Sequence, residues 1–174
     1  MQLGASVYGL GGVTIIDGIV VSWFAPPISS ADERFHGHKR GDDKGQQVWE
    51  ALCLLIALRV WASFGTGKKL NMTLKSDNMA ALVLIARMKS NASPPIAKEV
   101  AYAMSRAAFQ PRLIVHVPGV MNFVADSLSC LSSPDGSYSV PASLDPSLRA
   151  STPQRTEAYY STLRPNASLG GRSF

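Results

Sequence analysis

The run from Gln46 to Ser63 constrains the fold more than any other part of the chain. Val48, Trp49, Ala51, Leu52, Leu54, Leu55, Ile56, Ala57, Leu58, Val60 and Trp61 make it apolar on nearly every side. That pattern predicts a helix, and a helix without a wet face must be enclosed. No stretch reaches the roughly 18 uninterrupted apolar residues that a membrane span needs, so the rest of the protein has to supply the enclosure. A chain of 174 residues is long enough to do this around one core.

The residues before the helix read as strands. Ala5 to Tyr8, a glycine turn at Gly9, Gly11 and Gly12, Val13 to Ile16, a turn at Asp17-Gly18, and Ile19 to Phe24 together predict an antiparallel meander. Only three residues precede Gly4, so the first strand reads as clipped, or the chain as a piece of a longer one. From Pro26 to Gly45 the sequence is polar and reads as a loop. After the helix, Leu70, Met72 and Leu74 alternate with Asn71, Thr73 and Lys75, which predicts a strand with one polar face. A second helix is expected from about Asn78 to Met88, and a third opens at Ser93-Pro94-Pro95 with Pro111 beyond its end. Leu113 to Val117 is the last expected strand, Pro118-Gly119 the turn, and Asn122 to Leu131 the last short helix. Three antiparallel strands followed by alternating helices and strands predict an α/β domain over residues 1–131, with a five-stranded mixed sheet flanked by helices. From Ser132 onward serine and proline replace the hydrophobic period, so 132–174 is expected to be a mostly disordered tail or linker.

Charge and cysteines narrow the class. Seventeen Lys and Arg against twelve Asp and Glu leave a formal charge of +5, which permits a polyanionic partner without identifying one. Cys53 and Cys130 have neither the number nor the spacing of a disulfide framework or a zinc site, and the first residues lack a signal-peptide pattern. The expectation is an intracellular protein without a membrane segment, cytoplasmic or nuclear.

Three acids could carry chemistry. Glu50 is the only acidic residue between Gln46 and Ser63; it either occupies a wet strip early in the helix or is a compensated buried group. Asp77 stands where a strand ends and a helix starts, beside Ser76 and Asn78. All three are good N-caps, yet the carboxyl end of a strand is also where ligands bind in α/β sheets. Asp126 follows Asn122 by one helical turn, so the two share a face, and Asn122 is itself a plausible cap. Carboxylates on a central helix, a strand end and a terminal helix could converge on Mg²⁺; without a cation they would repel one another.

Four runs, in order, carry a resemblance to a known family: Gly4-Ala5-Ser6 with Gly9, Gly11 and Gly12; Trp49-Glu50-Ala51-Leu52 with Ala57-Leu58-Arg59-Val60-Trp61; Ser76-Asp77-Asn78 with Ala80-Ala81; and His116-Val117-Pro118-Gly119 with Asn122 and Ala125-Asp126-Ser127-Leu128-Ser129. Across residues 1–131 the chain resembles the ribonuclease H domain of long-terminal-repeat and related retroelement reverse transcriptases. The resemblance implies a five-stranded mixed sheet, dependence on two Mg²⁺ or Mn²⁺ ions, and hydrolysis of the RNA strand of an RNA·DNA hybrid. It also implies that Glu50, Asp77 and Asp126 are metal-site carboxylates, that Ser76, Asn78 and Asn122 lie against nucleic acid, and that a polymerase domain stands upstream. At Gly4 the chain departs from the pattern. The family carries an aspartate before Ala-Ser that bridges both ions, and glycine offers no ligand. Activity is therefore expected to be impaired, with a catalytically inactive structural or nucleic-acid-binding module as the alternative.

Other candidates read as structural. His116 falls on a strand before a turn, where a packed or cross-strand histidine is the ordinary outcome. His36 and His38 lie in a polar loop without the ligand spacing of a known metal site. The glycines at 9 to 12 lack both the P-loop lysine and the dinucleotide spacing, and read as a hairpin turn. Lys68, Lys69 and Lys75 are either phosphate contacts or the charged ends of an exposed strand.

Overall fold

The computed structural model describes residues 1–65, 70–89, 93–106 and 109–161. Five strands, β1 (Gln2–Ala5), β2 (Leu10–Ile16), β3 (Ile19–Phe24), β4 (Leu70–Ser76) and β5 (Phe109–His116), form one sheet in the order β3-β2-β1-β4-β5. The pairs β1·β2 and β2·β3 are antiparallel, while β1·β4 and β4·β5 are parallel. The fold is therefore α/β with a mixed five-stranded sheet.

The apolar helix is α2 (Gln46–Val60), and every residue from Val48 to Leu58 is buried, Glu50 included. It is enclosed by the sheet on one side and by α3 (Met79–Arg87) and α4 (Pro94–Arg106) on the other. Leu3, Leu10, Phe24, Leu74, Leu84, Ile96 and Val100 complete that core. A smaller core of Val13, Trp23, Ala25, Leu128 and Leu144 lies between the β2-β3 hairpin, α5 (Phe123–Cys130) and the C-terminal segment. Alternation along the strands explains the two cores: Phe24 faces the first and Trp23 the second.

The structure corrects several expectations. The loop assigned to Pro26–Gly45 contains α1 (Ser30–His36), opened by a capping box in which Ser29 and Asp32 each bond the other's backbone N–H. Gly11 and Gly12 are not turn residues but stand inside β2; the turn is Ser6 to Gly9, where the Ser6 hydroxyl accepts from the N–H groups of Tyr8 and Gly9. Pro111 lies beyond the end of α4, as expected, but inside β5, which starts at Phe109 and not at Leu113. There Met72 faces Pro111 and Thr73 faces Leu113, so Arg112 is an extra residue, and an edge-strand bulge is a place where proline is tolerated.

The largest correction concerns the tail. Residues 141–150 cross the outer side of β3, where Leu144 is buried and the Trp23 indole donates to the Asp145 carbonyl at 2.8 Å. The Ala150 N–H donates to the Trp23 carbonyl at 2.8 Å, and the Arg149 guanidinium lies 5.4 Å from the Trp23 ring centre. Farther on, Arg155 is buried against Asp32, with Nε 2.9 Å from both carboxylate oxygens, and Tyr160 in α6 (Glu157–Ser161) donates its hydroxyl to the same carboxylate. These few anchors order a segment that has no hydrophobic period of its own. Residues 162–174 of the expected tail lie outside the described residues. Among the described residues no helix is long and apolar enough to cross a membrane.

Candidate functional site

Gly4 lies on β1 with its missing side chain directed at α5. A Cβ placed there would stand 2.6 Å from an Asp126 carboxylate oxygen and 3.3 Å from the Asn122 amide nitrogen. Asn122 precedes α5 by one residue and is fully buried. Its amide nitrogen lies 3.0 Å from the Leu3 carbonyl, 3.0 Å from Asp77 Oδ1 and 3.0 Å from Asp126 Oδ1. One side chain thus joins β1, the end of β4 and α5, the three elements that carry positions 4, 77 and 126.

The Asn122 side chain makes no capping bond, so the cap expected there is replaced by a tertiary role. Asp77 follows the last residue of β4, and its carbonyl lies 3.0 Å from His116 Nε2 at the end of the neighbouring strand. His116 is exposed, and its ring makes this cross-strand contact without being packed into the interior. Ser76 and Asn122, expected against nucleic acid, are both wholly buried; their side chains are occupied inside the protein and offer no contact surface. Asn78 is half-buried, and its N–H donates to the Ser76 hydroxyl at 3.1 Å. Lys68 and Lys69 lie outside the described residues, while Lys75 is half-buried in β4.

Glu50 is not on a wet strip. It is 3% exposed, and one carboxylate oxygen accepts from the Ala5 N–H at 3.2 Å and from the Gln46 amide at 3.2 Å. Gln46 also donates to the Ala5 carbonyl at 2.6 Å, so it ties the start of α2 to the end of β1. Sequence reasoning passed over Gln46, although its separation of one helical turn from Glu50 was the available signal. The second Glu50 oxygen is buried without a hydrogen-bond partner. Burial pushes the Glu50 carboxyl up to about 8, the Ala5 N–H opposes this, and the Asp77 and Asp126 charges add to it. Burial also raises Asp126 to about 6, helped by the Asp77 charge and opposed by the Asn122 amide. Glu50 and Asp126 therefore both press towards the protonated state or a cation, and each feels the Asp77 charge.

Asp126 lies against Gly4 and shares the Asn122 amide with Asp77, but the donor set falls short of a two-ion centre. Position 4 supplies no carboxylate, and among the described residues no group of three His, Cys, Asp or Glu side chains is close enough to hold a metal ion. Mg²⁺ or Mn²⁺ does not fit these residues as they stand. Comparison with protein-family models, with curated proteins and with solved structures finds no match.

Proposed function

We propose that this chain is a ribonuclease H-like domain of a retroelement reverse transcriptase type, which engages RNA·DNA hybrid but cleaves its RNA strand at or near background. One observation carries the reading. Four runs spread from residue 4 to residue 129 come into one neighbourhood, where Asp126 lies against Gly4, the Asn122 amide bonds Asp77 and Asp126, and Glu50 bonds the Ala5 N–H and feels both aspartate charges. A sheet of five mixed strands flanked by helices is compatible with that family. Independent capping or solvation would explain each acid by itself, but gives no reason for their convergence. The incomplete donor set is the reason to read the activity as impaired. With no bridging carboxylate, the acids divide too few ligands between two ions.

The test restores the missing ligand. Gly4→Asp should raise Mg²⁺ affinity and hybrid cleavage together, and Asp77→Asn added to it should remove the gain. Substrates are hybrid, duplex DNA and single-stranded RNA at fixed salt, because a basic protein binds all three when salt is low. Strong Mg²⁺-dependent cleavage by the unaltered chain would overturn the impaired reading. A folded Gly4→Asp protein that still neither cleaves nor prefers hybrid would favour a module that no longer handles nucleic acid as an enzyme.

A further inference from the structure

We propose that Asn122 is a positioning residue whose amide takes the place of a cation between Asp77 and Asp126, so that the acid cluster is satisfied inside the chain and the fold needs no divalent ion. The inference concerns the cluster alone and stands whether or not the chain recognises a hybrid.

The geometry is specific. A single NH₂ group with two protons faces three acceptors, the Leu3 carbonyl and one oxygen from each aspartate, all at 3.0 Å. Turning the amide over would set its oxygen against three other oxygens, so only the nitrogen-inward orientation is compatible with the site. That orientation leaves the Asn122 oxygen buried without a partner. A buried orphan is unfavourable, so the nitrogen's contacts must outweigh it. The ion pairs formed among the described residues are Arg34–Glu157, Arg59–Glu99 and Arg155–Asp32, and none involves Asp77 or Asp126. The groups facing Asp126 are another carboxylate, Asp77, and the Asn122 amide; those facing Glu50 are the Ala5 N–H, the Gln46 amide and the same two aspartates. Two facing carboxylates with no cation between them would separate, and the Asn122 amide bonds both.

Removing the amide should therefore create a demand for metal that the natural chain lacks. The experiment measures thermal unfolding of the full chain in chelator and in about 10 mM MgCl₂ or MnCl₂, at matched ionic strength, together with calorimetric titration of Mn²⁺ alone. The natural chain should shift by less than about 1 °C. Asn122→Ala should unfold at a lower temperature in chelator and recover about 3–5 °C with the ion, as expected for a site of roughly millimolar affinity in a chain this size. Asn122→Asp, which replaces the donor with a further carboxylate, should respond more strongly and show saturable Mn²⁺ uptake. An amide that was merely packed would lower the melting temperature equally with and without the ion. That result in a folded Asn122→Ala protein overturns the proposal, as does a saturable Mg²⁺ response of the natural chain. Should neither variant fold in chelator, recovery of folding on adding Mn²⁺ upholds it, and failure to fold under both conditions overturns it. No nucleic acid enters the measurement, so its failure is separable from failure of the hybrid-directed reading.

Discussion

Asp32 is the point at which the C-terminal segment can be tested against the body of the protein. Its carboxylate is wholly buried, and so is nearly all of the Arg155 side chain that meets it, at 4% exposure. One oxygen also accepts from the Ser29 N–H at 2.6 Å, and the other from the Tyr160 hydroxyl. Arg155 donates further to the Pro27 carbonyl. Removing one member strands the other charge in the interior, which costs about 3–5 kcal/mol. For a chain of this length that corresponds to a fall in melting temperature of roughly 6–20 °C. Asp32→Asn and Arg155→Met should each fall in this range by thermal and urea unfolding. The double variant should lose clearly less than the sum, because the second change removes the charge that the first left unpaired. Trypsin gives an independent reading: Arg155 is shielded in the natural chain and should become a cleavage site in Asp32→Asn. Losses below about 1 kcal/mol, or strict additivity, would mean that residues 141–161 are not docked as described.

Three further outcomes follow from the site and its surroundings. Glu50 is raised from its usual 4.5 to about 8 in the folded chain, so its contribution is fully present below pH 4.5 and is lost as pH rises towards 8. Against Glu50→Gln, the natural chain should lose stability on the order of a few kcal/mol across that window in urea unfolding; a difference that does not vary with pH refutes the assignment. Gly11→Ala would put a Cβ 2.1 Å from the Ala125 carbonyl oxygen and 2.7 Å from the Ser129 nitrogen, both backbone atoms. The expected loss is about 3 kcal/mol, the upper end for overpacking, and a loss under about 1 kcal/mol would show that α5 can retreat freely. Trp23→Leu removes the indole that holds the Asp145 carbonyl, and should expose the 141–150 segment to protease ahead of global unfolding.

Elements with a strong local pattern were legible in the sequence. The spacing predicted Ile19–Phe24 as a strand with its observed ends, and placed the start of α2 at Gln46, because alternation and an all-apolar run leave few other outcomes. Elements held by isolated tertiary contacts were not. Only the Ser29-to-Asp32 spacing marks α1, and its one wholly buried charged residue, Asp32, finds its partner at Arg155, far along the chain. The C-terminal segment was misread for the same reason. Leu144, Arg155 and Tyr160 are each buried, but their separations follow no helical or strand period, so the signal for order lies in what they meet and not in how they are spaced.

The candidate site divides along a similar line. The sequence placed each acid on its element, but their meeting depends on Asn122, whose contacts reach 119 residues back to Leu3 and 45 back to Asp77. The glycines were the hardest to read, since absence of a side chain has no periodicity. Gly4 and Gly11 are paired across β1 and β2, and both turn an empty position towards α5, which lets that helix lie directly on the strands. Gly4 therefore has a packing role apart from the ligand that the proposed function finds missing there; it belongs to a contact surface made of two small residues. The two differ in what a side chain would meet. At position 11 the obstacle is helix backbone, whereas at position 4 the nearest atom is the tip of the Asp126 side chain, with the Ala125 backbone at 3.3 Å. A carboxylate tip can rotate away and backbone cannot, so the sheet should accept Gly4→Asp with a small rearrangement while rejecting Gly11→Ala. That asymmetry makes Gly4→Asp a fair test of the proposed function, because it perturbs the chemistry of the cluster more than the packing of the helix above it.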